Sequence, residues 1–151
     1  MKNFLSTSDK IRRIILLLSI FLFLISLTQK GYCTKNNCSD SIILFLLGWF
    51  GMLMGGAGIC WIANPVILTS WYFTKKASKY AMYTSLLATA ICFSFLLFST
   101  VSDNESGHQN QIISYECGYW LWCASAVVLL VGNVILVRQK VKAERQMGEL
   151  R

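Results

Sequence analysis

The stretch IILFLLGWFGMLMGGAGICWIANPVILTSWYF, from Ile42 to Phe73, decides how this chain is built. It holds no charged residue and no histidine from end to end. A bilayer core of about 30 Å takes roughly 20 apolar residues in helical form. A single straight helix over this stretch would run about 48 Å at 1.5 Å per residue, longer than the membrane. It must therefore break. Pro65, the only proline, removes an amide donor and frees the carbonyl about one turn earlier, near Trp61. The expectation is a membrane span over Ile42–Ile62, a kink at Pro65, and a segment Val66–Phe73 lying along or just below the cytoplasmic interface. Trp71 and Tyr72 favour that depth.

Three further apolar runs, Ile14–Thr28, Tyr80–Val101 and Tyr119–Val137, complete an all-α, four-span antiparallel bundle. The first is short, so Arg12 and Arg13 must snorkel to headgroup level. The chain reads as one transmembrane domain over 1–151, with Arg138–Arg151 a basic cytoplasmic tail that prolongs span four as a helix. Twelve of the fourteen Lys and Arg residues then fall on one face. Only Lys30 and Lys35 fall on the other. Basic residues near span ends stay in the cytoplasm, which puts both termini there. The net charge of +7 is thus a topology signal, with anionic headgroups as its partner. Nucleic-acid binding would need Lys and Arg clustered on a folded face with aromatics interleaved. A cleaved signal peptide would also begin with basic residues and a short apolar run, but Ser26–Cys33 holds no Ala-x-Ala-like site. The longest polar stretch, Ser102–Gln111, reads as a loop.

Helices in lipid associate through close backbone approach and hydrogen bonds. Gly48, Gly51, Gly55 and Gly58 share one helical face. Ala81, Ser85, Ala88 and Cys92 form a matching strip on span three. The glycine face has three readings: packing on that strip, packing on a second copy of the chain, or lining a pore. Asn64 and Asn133 are the intramembrane amides. They either bond to each other across helices or, for Asn64, cap the break at Pro65.

No Asp, Glu, Lys, Arg or His lies in the core of a span, which argues against a pump or a proton-coupled transporter. Nothing calls for a metal or a cofactor, and His108 has no partner at ligand spacing. Cys60 and Cys92 are apolar fillers. Cys33, Cys38 and Cys117 fall in outer segments and are the disulfide candidates, as Cys33–Cys38 or one of these with Cys117; Cys123 could reach the thiol left over. Four helices with cysteines in both outer loops resemble the quinone-coupled disulfide oxidases of the DsbB type. That family uses Cys-x-x-Cys in the first outer loop, whereas Cys33 and Cys38 have four intervening residues. It also needs a second loop pair and a quinone-binding arginine, and neither has a counterpart here.

The pattern Gly48-Trp49, Trp61-Ile62-Ala63-Asn64-Pro65 and Trp71 is similar to one shared by small bacterial four-span membrane proteins of no assigned activity. The resemblance covers about twenty-five residues and implies a bacterial inner membrane. The expected function is non-enzymatic, by binding or assembly within the bilayer with itself or another membrane protein. Small immunity proteins and membrane subunits of phage defence share the build. An oligomeric pore lined by Ser85, Thr89, Ser94, Ser99 and Ser125, and an envelope thiol oxidoreductase, are the alternatives.

Overall fold

The computed structural model describes residues 2–35, 37–76, 79–102 and 109–148. Helices carry most of the chain: α1 Lys2–Leu27, α2 Ser41–Met54, α3 Ala63–Lys75, α4 Tyr80–Ser94 and α5 Cys117–Gly148. Four strands, β1 Lys30–Thr34, β2 Cys38–Asp40, β3 Thr100–Ser102 and β4 Gln109–Tyr115, form one antiparallel sheet in the order β2-β1-β4-β3. Two helical stretches, Tyr80–Leu97 and Cys117–Gln146, are long and apolar enough to cross a membrane. The fold is therefore mostly helical with a small sheet, and not the all-α bundle expected.

The sheet is a correction to the reading of both connections as loops. Register pairs Cys33 with Cys38, Tyr32 with Tyr115 and Thr100 with Gln111. It thus ties the chain after α1 to the chain before α5. Residues 103–108, and His108 with them, lie outside the described residues, but the two ends of the expected Ser102–Gln111 loop are strand. Tyr32 and Val101 turn inward and make a small core with Ala57, Phe95 and Tyr115. The Tyr115 hydroxyl donates to the Phe98 carbonyl at 3.2 Å, and burial raises its pKa.

The helices run in fixed register below the sheet. Ser19 is level with Ser125, and Ile15 with Gly132, so α1 and α5 are antiparallel. Asn64 is level with Trp122, and Thr74 with Asn133, so α3 runs parallel to α5. Ser70 meets Ala81 and Cys60 meets Ser94, which sets α4 antiparallel to α3. The shared core holds Ile15, Phe23, Ile67, Ala88, Ala126 and Leu129.

The apolar stretch Ile42–Phe73 breaks at Gly55 and Gly56, whose φ angles are +77° and +59°. Glycine adopts such angles without the steric cost a Cβ brings. A 3-10 segment, Gly56–Ile62, follows and passes into α3 through α-helical dihedrals at Ile62 and Ala63. Pro65 sits in the first turn of α3, where an amide would have no helical partner in any case. The expected kink at Pro65 is therefore replaced by a reversal ten residues earlier. Gly56–Lys75 makes a rod of about 33 Å, from 2.0 Å per 3-10 residue and 1.5 Å per α residue. The segment Val66–Phe73 belongs to the bundle rather than to an interface: Ile67 and Ser70 are fully buried.

α2 runs back along the start of that rod, with Gly48 against Trp61 and Gly51 against Gly58. Its first residue is fastened at the sheet end, where Ser41 N donates to the Gln29 carbonyl at 3.0 Å. Near its last turn, Gly51 lies on Gly58, next to Ala57 of the sheet's own core. This helix of about 21 Å therefore folds back on the 3-10 segment that follows it. The expected single span Ile42–Ile62 is thus two elements of different direction.

Candidate functional site

α2 and the 3-10 segment under it form the most unusual surface of the molecule. The four glycines do not share one helical face as expected: Gly48 and Gly51 lie on α2, Gly55 at the turn and Gly58 on the 3-10 segment. All but Gly55 hold the two elements together. A Cβ on Gly48 would strike the Trp61 ring, and one on Gly58 would strike the Gly51 carbonyl. The Trp61 indole donates to the Phe45 carbonyl at 2.9 Å, which completes the clasp. Gly55 is different: a Cβ there would meet nothing within 4 Å, and its role is the turn. The glycine face does not meet the strip on α4. Ala81, Ser85, Ala88 and Cys92 are buried, and hydrogen bonds reach this strip from α3 and α5: Ser70 and Asn133 bond Ala81, Asn133 bonds Ser85, and Tyr119 bonds Cys92.

With one side of α2 spent on the clasp, the others carry large exposed apolar residues. Ile42, Leu46, Trp49 and Leu53 follow helical spacing on one side, and Leu53 is 75% exposed. Ile43, Leu47 and Phe50 widen this to a second side. A cleft of about 260 Å³ opens nearby between the 3-10 segment and the end of α4, lined by Ile59, Cys60, Ile62, Ile91, Ser94 and Leu97 among others.

The interior polar groups are committed to one another. Asn64 and Asn133 do not meet. Asn64 accepts from the Trp122 indole at 3.0 Å. Asn133 donates to the Ala81 carbonyl and the Ser85 hydroxyl at 3.2 and 3.3 Å, and its oxygen accepts from Thr74 at 3.0 Å. Trp71 donates to Ser19, which donates to the Ser125 carbonyl, each at 2.9 Å. Tyr119 donates to the Cys92 carbonyl at 3.0 Å. Tryptophans and threonine are thus the partners that sequence reading missed. The available sign was an amide and an indole in apolar runs with no charge to satisfy them. Four of the five hydroxyls proposed to line a pore turn back on their own helices: Ser85 to Met82, Thr89 to Ser85, Ser94 to Ile91 and Ser125 to Trp122.

Of the outer cysteines, Cys33 and Cys38 form a disulfide across the β1–β2 hairpin, while Cys117 is a free, exposed thiol. Cys60, Cys92 and Cys123 are free and buried. Among the described residues no three His, Cys, Asp or Glu side chains come together as metal ligands. Searches against protein-family models, curated proteins and solved structures find no match for this chain.

Proposed function

We propose that this chain is a non-enzymatic, integral protein of the bacterial inner membrane that assembles with copies of itself through α2. It crosses the bilayer four times, by α1, the rod Gly56–Lys75, α4 and α5. The sheet faces outward and both termini lie in the cytoplasm. The observation that carries this reading is α2 itself: pinned at both ends, packed on one side, and apolar on the sides left open. Two further features support it. Among the described residues, the interior polar side chains Ser19, Asn64, Thr74 and Asn133 bond within the chain rather than forming a chain of ionisable groups. The exposed basic residues Lys75, Lys76, Lys79, Arg138, Lys140 and Lys142 lie at the end opposite the sheet, as cytoplasmic retention of basic flanks requires. The membrane headgroups at that end are the natural anionic partner.

Topology is tested by reporter fusions. A fusion after Lys76 is expected to report the cytoplasm and one after Ser102 the opposite side; the same compartment for both would overturn the four crossings. Assembly is tested by energy transfer between labelled copies in vesicles. Transfer above that of random mixing is expected, and Leu46→Gln with Leu53→Gln is expected to bring it down to the random level. Wild-type transfer that falls with lipid dilution as a monomer's would overturn assembly through α2.

A further inference from the structure

The Cys33–Cys38 disulfide stands where it can govern α2. Cys38 opens β2, β2 ends at Asp40, and Ser41 starts the helix. Three ties hold that start in place: the disulfide, the Ser41 amide on the Gln29 carbonyl, and a Lys30–Asp40 ion pair at 2.7 Å. Both partners of the ion pair are about half exposed, and such pairs contribute little. The disulfide is the strongest of the three, and both of its sulfurs belong to residues that are only partly buried.

A carboxylate stands against it. Glu116 Oε1 lies 3.6 Å from Cys33 Sγ and accepts a hydrogen bond from the Ser114 hydroxyl at 2.6 Å. The Glu116 amide donates to the Gly31 carbonyl at 2.9 Å, which seats this residue on β1. A disulfide sulfur has no proton to give a carboxylate, so the oxidised pair gains nothing from that contact. A Cys33 thiol at the same place has its acceptor already positioned.

We propose that Cys33–Cys38 is a reducible site for an external dithiol, with Glu116 as the acceptor of the Cys33 thiol it releases, and that reduction loosens the start of α2. A thiolate of the reductant attacks one sulfur of the pair and expels the other. The reductant's second thiol then resolves the mixed disulfide and the reductant leaves oxidised. Two electrons pass to the pair, and the two protons of the reductant's thiols end on Cys33 and Cys38. Cys33 then donates to Glu116, and β2 is left with its short ladder on β1, the half-exposed Lys30–Asp40 pair and the Ser41 amide bond. The consequence for assembly rests on the role proposed above for α2.

The test uses the full chain in detergent micelles, poised in mixtures of reduced and oxidised dithiothreitol, with amide hydrogen exchange read by mass spectrometry. On reduction, the amides of Cys38–Phe45 are expected to exchange about tenfold faster, as loss of a cross-link implies. They should recover on reoxidation, while α5 stays unchanged. Glu116→Ala is expected to require about threefold or more reduced over oxidised reagent at the midpoint, the scale of one hydrogen bond. Glu116→Gln, which keeps an uncharged oxygen acceptor, should fall between the two and stands in if the alanine variant does not fold. Unchanged exchange at Cys38–Phe45 in fully reduced protein overturns the loosening of α2. Midpoints identical to wild type in the Glu116 variants overturn the role of the carboxylate. Exchange that responds to reduction while energy transfer between copies does not would uphold this site and reject assembly through α2.

Discussion

Alanine at Gly58 is expected to cost about 2–3 kcal/mol of stability, the upper part of the range for forcing a methyl group into a packed interface. The reason is that the added Cβ meets backbone. It would fall on the carbonyl of Gly51 and against the Met52 amide, which belong to a helix and cannot rotate aside. α2 must move off the 3-10 segment, and the Gly48–Trp61 contact and the Trp61–Phe45 bond separate with it. Gly55→Ala is the control. It has open space around it but a φ of +77°, so its cost is the conformational one alone, about 1–2 kcal/mol. Urea or thermal unfolding in detergent compares the two. In vesicles the difference should be sharper: the Gly58 variant is expected to lose energy transfer between copies, since α2 no longer presents its open sides in place. Equal stability of the Gly58 variant and wild type would mean that α2 does not rest on Gly58 at all.

The same stretch shows what could be read from residues and what could not. Hydropathy located α4 and α5, each an apolar helix with a basic or polar flank. The expected span Tyr80–Val101 overruns its helix, however, which ends with its 3-10 turn at Leu97 before β3 begins at Thr100. Helical spacing placed Gly48, Gly51, Gly55 and Gly58 on one helical face, whereas the first two lie on α2, Gly58 on the 3-10 segment and Gly55 at the turn between them. Hydropathy could not show direction. An apolar run that folds back on itself and one that continues straight have the same composition, so Ile42–Ile62 looked like a span. Proline drew the break to itself because it always removes a donor, yet within a first turn that donor has no partner to lose. The reversal was written in the adjacent pair Gly55-Gly56. The strands were hidden for another reason. Segments such as Lys30–Thr34 and Gln109–Tyr115 are short and half polar, and their pairing brings together residues about eighty positions apart. Local pattern carries little of that. The Cys33–Cys38 pair was one of several combinations in the sequence, and register across the hairpin selects it. Glu116 was invisible, because its meaning lies in the strand that β4 pairs with.

Asn133→Leu is expected to cost about 2 kcal/mol or more, and the source of the loss can be separated. Asn133 is almost fully buried and bonds α5 to both α3 and α4. Interhelical bonds of this kind contribute about 0.6–1.7 kcal/mol in lipid-embedded bundles, and leucine is also too large for the space. None of the former partners is orphaned. The Thr74 hydroxyl still reaches the Ser70 carbonyl at 2.8 Å, Ser85 still donates to Met82, and the Ala81 carbonyl keeps Ser70 and Thr84. Asn133→Ala removes the bonds without the crowding, so it should lose about 1 kcal/mol. Asn64→Leu follows a different rule. It breaks the bond from the Trp122 indole and strands that donor, and an unsatisfied donor away from water costs about 1–3 kcal/mol. Trp122→Phe should therefore recover part of the loss at Asn64 and none at Asn133. Because Asn133 works at the basic end and α2 at the sheet end, Asn133→Leu should lower thermal stability in detergent while energy transfer between folded copies stays at the wild-type level. A variant that kept its stability would refute the part given to Asn133, and one whose folded copies lost energy transfer would show that the two ends of the bundle are not mechanically separate.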